Sequence, residues 1–190
     1  MVRTVVVPRA LHEVLGREQT RTELALVAVG GLGVGAAVAF AALPLLTQVP
    51  AWRAVPAVLI VLDLAAGCVA NFTAGTDRHY AHDVHRRRVF LAVHVHLPVL
   101  ALLLGVDVAW STAVWACVVG SAAAVSATRP GPVQTALGGA LTAAVVTGVV
   151  LTGPTRALVA AAVLFAVKLV LAFAVVHHGP APVRAASGGR

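Results

Sequence analysis

Asp63 and Lys168 each stand alone as a charge inside an otherwise apolar stretch, VLIVLDLAAGCVA and LFAVKLVLAF. Lys168 is the only lysine in the chain. An ionisable group placed at mid-membrane costs about 2.5–3.5 kcal/mol on insertion scales, so it has to face the bundle interior and find a partner. The two residues are therefore expected to pair. Left unpaired, burial would favour a neutral carboxylic acid and a neutral amine, the forms that exchange protons. Gly67 and Asn71 follow Asp63 at four-residue steps, which places all three on one helix face. That face is polar and uncrowded, as the wall of a cavity would be.

His94 and His96 add two imidazoles, and Tyr80 a phenol. On a continuous helix, residues two apart point to nearly opposite faces. One histidine is then expected in the core and the other against a neighbouring helix or lipid, too far apart for a tight metal pair. Pro98 is expected to kink the same helix and free carbonyls beside the cluster. A zinc or haem site needs further ligands, with His177 the one remote candidate, so no metal and no cofactor is expected. Asp63, His94, Lys168 and Tyr80 are the candidate catalytic groups.

Asn71, Thr73, His96 and the run Arg86, Arg87 and Arg88 are the candidate substrate-binding groups. The arginines fit two roles, a topology-fixing loop and a mouth that holds an anionic head such as a phosphate. Three other patterns dissolve on inspection. GGLGVGA at 30–36 resembles a dinucleotide fingerprint but lies inside an apolar helix, where Gly31 and Gly35 form a small-residue step for close helix packing. Asn71-Phe72-Thr73 matches a glycosylation sequon at the wrong end of its span. Cys68 and Cys117 are too few and too widely spaced for a disulfide framework.

The elements that must hold these groups are transmembrane helices. Hydrophobic residues make up 59% of the 190, charged residues 11%, and the mean hydropathy is +0.93. Soluble domains carry roughly 25% charged residues because they must face water. Six apolar windows of spanning length are expected, at about 24–46, 55–74, 89–106, 109–127, 133–152 and 157–176. They form an all-α, polytopic integral membrane helical bundle, a single domain of 24–177. Segment 1–23 reads as a cytoplasmic or interfacial lead-in, with Leu11, Val14 and Leu15 on one helical face. Segment 178–190 reads as a disordered cytoplasmic tail.

With six alternating spans, Arg3, Arg9, Arg17, Arg21, Arg78, Arg86, Arg87, Arg88, Arg129, Arg184 and Arg190 share one side, against Arg53 and Arg156 on the other. The asymmetry puts both termini in the cytoplasm of a multi-pass cell-membrane protein, with Trp52 and Trp110 near the outer interface. The net charge of +7 thus answers to membrane lipids, and no nucleic-acid stripe interleaves with aromatics.

The second, third and sixth windows carry nearly all the buried polarity, which implies one site on three helices. In size and composition the chain is similar to small polytopic membrane terpene cyclases, a likeness no motif carries. The resemblance implies acid–base cyclisation or isomerisation of a lipophilic, isoprenoid substrate in a cytoplasm-facing pocket. There Asp63 would act as general acid and a histidine as proton acceptor or relay. Proton- or ion-coupled transport is the alternative use of intramembrane Asp, Lys and His. A structural subunit of a membrane complex also fits the short loops, and a homo-oligomer is compatible with all three.

Overall fold

A computed structural model describes residues 4–81 and 83–178. His82, Arg3, Arg184, Arg190 and the tail 179–190 lie outside them. Six helices in it are long and apolar enough to cross a membrane: Arg21–Ala41, Ala51–Ala70, Val84–Leu104, Val108–Ala127, Pro132–Thr152 and Arg156–Phe173. The first three begin three to five residues before their hydropathy windows, and polar caps fix where the first and third of them start. Thr20 caps the first through a reciprocal bond with Glu23, and Asp83 caps the third through the Arg86 amide.

In chain order the elements are β1 (Thr4–Val6), α1 (His12–Leu15), β2 (Glu18–Thr20), α2 (Arg21–Ala41), the single turn α3 (Leu43–Leu46) and α4 (Ala51–Ala70). α5 (Ala74–Ala81), α6 (Val84–Val93), α7 (His96–Leu104), α8 (Val108–Ala127), α9 (Pro132–Thr152) and α10 (Arg156–Ala166) follow. From Val167 to Phe173 the last span continues as a π-helix. Ala74 N donates to Glu23 Oε1 at 3.2 Å, and His178 N donates to Asp77 Oδ2 at 2.7 Å. The start of α2, the helix α5 and the end of the last span therefore share one face, the arginine-rich one. Trp52, Arg53 and Trp110 occupy the opposite face, where Arg53 donates to the Leu102 carbonyl.

The last span is the central mast. Leu158, Ala161, Ala162, Phe165, Ala166, Leu169 and Val170 are fully enclosed. α2 lies outermost and packs chiefly on α4 through its glycines. A Cβ at Gly31 would stand 2.8 Å from the Ala66 Cβ, and one at Gly35 would stand 2.6 Å from Leu62 Cδ2. Both contacts are possible only because these positions carry no side chain.

Residues 4–20 do not form a bare interfacial helix. β1 and β2 pair antiparallel, Thr4 opposite Thr20, and close a strap around α1. The strap docks onto α5: Gln19 donates to Thr73 Oγ1 at 2.6 Å, and the Tyr80 hydroxyl donates to the Glu13 carbonyl at 2.6 Å. Gly16 turns at φ +71° with no room for a Cβ, which would lie 2.9 Å from Thr76 N. The arginines expected in a topology-fixing loop lie on helices: Arg78 on α5, and Arg86, Arg87 and Arg88 on α6.

Candidate functional site

The third span is broken in its middle, and the break makes the site. Pro98 has no N–H and its ring crowds the carbonyl four residues back, which is His94. Helix α6 accordingly ends at Val93, and α7 starts at His96. His94 and Val95 take the non-helical angles φ −80°, ψ 61° and φ −87°, ψ 22°. The stranded His94 carbonyl is recovered by α8, where Trp115 Nε1 donates to it at 2.9 Å. A free carbonyl inside an apolar bundle would be costly, so Trp115 fixes the break as well as satisfying it.

The break overturns the expectation that His94 and His96 face opposite ways. That expectation assumed a continuous helix, and the two non-helical residues between α6 and α7 turn both rings to one side. Their centroids are 4.9 Å apart. His96 Nε2 lies 3.2 Å from Asp63 Oδ2. Lys168 Nζ donates to the same oxygen at 2.6 Å, the expected pair. His94 Nδ1 bonds the Phe90 carbonyl at 2.5 Å. A carbonyl only accepts, so Nδ1 carries the proton and Nε2 keeps a lone pair. The same logic gives His96 its proton on Nε2, toward the carboxylate. Its Nδ1 is then buried without a partner among the described residues.

Lys168 can lie flat here because of Gly67. A Cβ at position 67 would stand 2.8 Å from Nζ and 2.9 Å from Cδ of the lysine. Asn71, one turn on, donates to the Lys168 backbone carbonyl at 3.1 Å at the start of the π-helix. The expected polar face of Asp63, Gly67 and Asn71 is thus occupied along its length by one residue of the last span. π-Helical turns often mark functional positions, and here one begins beside the buried ammonium.

These groups line a cavity of about 190 Å³, completed by Glu13, Val14, Phe90 and Val93. Only one carboxylate oxygen of Asp63 is engaged, and its side chain keeps 38% of its exposure while that of Lys168 keeps 4%. The cavity ends toward the opposite face. There Ala57, Val61, Leu100 and Leu104 pack together and leave a void of about 10 Å³, barely the space one water needs. Beside the cavity α7 packs on α4, whereas α6 leans on α5 and α8.

Five candidates stand elsewhere. Tyr80 does not line the cavity: its ring packs on Phe90 and Phe173, and its hydroxyl is spent on Glu13. Thr73 is bonded to Gln19 and to the Ala70 carbonyl, holding the strap. Arg87 points inward and donates to the Phe173 and Ala174 carbonyls at 3.0 and 2.8 Å, capping the last span. Arg88 is exposed. Arg86 alone of the three turns to a cleft, paired with Asp83 at 3.1 Å and Glu13 at 3.3 Å. Helical spacing explains the split, since three consecutive residues cover most of a turn.

Glu13 was not legible as part of the site. Partial burial opposes its ionisation, but hydrogen bonds from Tyr80 and His79 and the nearby Arg86 charge hold its carboxyl below the usual range. Burial and the Glu13 bond push the Tyr80 phenol up, so it remains a donor. A carboxylate in a polar lead-in carries no sequence signal until the strap folds over the cavity.

No family model, no curated protein and no solved structure matches the chain. Among the described residues, no group of three or more His, Cys, Asp or Glu could hold a metal ion.

Proposed function

We propose that the chain is a membrane-embedded enzyme that moves protons on the reacting end of a lipophilic substrate, in an isomerisation or a cyclisation. What carries this reading is the Asp63 carboxylate. One of its oxygens is fixed by Lys168 and His96, and the other stays open to a one-ended cavity that His94 also lines. In this reading Asp63, beside the Lys168 ammonium, acts first as proton acceptor, whereas its place in the sequence suggested a general acid. Asp63 Oδ1 and His94 Nε2 are the two exchanging atoms. Asp63 takes a proton from one substrate carbon and returns it at another, with His94 Nε2, which also carries a lone pair, able to relay it. One C–H bond breaks and one forms, so the reaction is redox-neutral.

Size supports a long substrate only partly enclosed. Ligand pockets commonly measure about 300–1,000 Å³, and about 190 Å³ holds little more than a branched five- or ten-carbon end. The remainder would lie in the bilayer beside α6, as an isoprenoid chain can. On the positive-inside rule the arginine-rich face would be the cytoplasmic one, which supports substrate entry from the inner leaflet. Proton-coupled transport is disfavoured by the closed apolar packing of Ala57, Val61, Leu100 and Leu104.

The test is turnover of a panel of prenyl lipids by the purified chain in liposomes made up in D2O, read by mass spectrometry. Wild type is expected to yield rearranged, deuterated product, and Asp63→Asn and His94→Gln to lose about 10²-fold or more of the rate. Undiminished turnover in both variants would remove these residues from the chemistry. Proton uptake by wild-type proteoliposomes, lost in Asp63→Asn with no product formed, would show translocation instead.

A further inference from the structure

A second concavity lies on the arginine-rich face, apart from the cavity. It is a cleft of about 510 Å³ lined by Arg17, Glu18, Gly75, Arg78, His79, Asp83 and Arg86. Its three arginines come from three separate segments, the strap, α5 and α6. Arg86 is fixed by Asp83, which accepts from its Nε at 3.1 Å and caps α6. Arg17 and Arg78 have no acidic partner among the described residues. Arginines that only set topology need neither concavity nor convergence. These surround a cleft beside a close backbone approach. Gly16 and Gly75 meet backbone to backbone, and a Cβ at Gly75 would stand 2.9 Å from Gln19 Nε2.

We propose that this cleft binds a phosphate-class anion, with Arg17 and Arg78 as the unpaired forks and Arg86 as the pre-oriented third. Guanidinium groups match phosphate oxygens two at a time, and two that lack carboxylate partners give up no ion pair on binding. Glu18 and Asp83 stand in the same lining, two carboxylates against three guanidinium groups. The site also touches the cavity. Glu13 lines the cavity and bonds His79 and Arg86, both of which line the cleft. An anion that draws on Arg86 therefore competes with the contact that holds the strap over Asp63. The phosphate can belong to a lipid headgroup or to a free ion, since the arginines recognise the same oxygens in each.

The experiment reads binding, not turnover, so it stands apart from the enzymatic proposal. The full chain in neutral phosphatidylcholine nanodiscs is titrated calorimetrically with pyrophosphate. Arg17→Gln/Arg78→Gln is expected to weaken binding about tenfold or more, as loss of charge-assisted bonds does. Arg17→Lys/Arg78→Lys should fall between, and Arg156→Gln, on the other face, should match wild type. Nanodiscs doped with phosphatidic acid separate the sources: a lipid head in the cleft raises the apparent Kd for pyrophosphate, and a free-ion site is unaffected. The proposal fails if pyrophosphate does not bind in neutral discs and phosphatidic acid is retained equally by wild type and the double glutamine variant. It fails equally if Arg156→Gln weakens binding as much as the double variant, since the effect is then one of net charge.

Discussion

The two halves of the third span come from one apolar stretch yet end in opposite states. α7 is packed on α4, with Leu97, Leu100 and Ala101 at 0–1% exposure. α6 leans away, leaving Val93 at 60% exposure and a polar cavity beside Asp63. Backbone chemistry at the junction sets the two apart. A proline at 98 strands one carbonyl, a tryptophan on α8 captures it, and the helix resumes on a new axis. A bundle can thus hold a polar site without an extra domain, if a helix that would fill the space is bent out of it.

The largest test of that contrast removes the charge balance on the open side. Asp63→Ala leaves the Lys168 ammonium enclosed with no anion and is expected to cost about 3 kcal/mol, the range for breaking a buried pair. Asp63→Ala/Lys168→Met should regain most of it in thermal unfolding of purified protein. If the double variant is no better than the single, the pair is not coupled in the folded protein. A middle-sized effect is expected from Gly67→Ala, whose methyl would enter the space of the lysine side chain. Overpacking of this kind costs about 1–3 kcal/mol, and alanine at Gly33, which meets nothing within 4 Å, should cost less. Equal effects at the two glycines would mean that Lys168 does not need the groove. The smallest change is Trp115→Phe, which unpairs the His94 carbonyl for about 1 kcal/mol. Its larger sign would be structural: hydrogen exchange around Val95 and His96 should rise while that of Leu100 and Ala101 stays fixed. A uniform rise across both halves would deny the break its independence.

Much of the architecture was legible because membranes impose one-dimensional rules. Six apolar windows were readable from length and hydropathy, and α2's glycine step from spacing alone. The Asp63–Lys168 pair followed from cost, since each charge needed a partner and each had one candidate. The remaining site residues were not legible in this way. His94 and His96 were assigned to opposite faces by a rule that holds only inside a continuous helix. Tyr80 and Arg87 looked like site residues by type, but their polar atoms are consumed by Glu13 and by the end of the last span. Glu13 and the strap were invisible because a polar lead-in has no periodicity to read.

By itself, the sequence determined that the described residues hold six helices of spanning length, with one acid, Asp63, and one base, Lys168, set alone inside apolar runs. Apolar length and the cost of lone charges are local quantities, readable without a fold. Only the tertiary structure decided that two histidines join Asp63, that Gly67 beds the lysine, that a strap closes one end and that leucines close the other. Those are statements about where side chains meet across helices, and they hinge on a carbonyl at His94 whose partner, Trp115, lies 21 residues away.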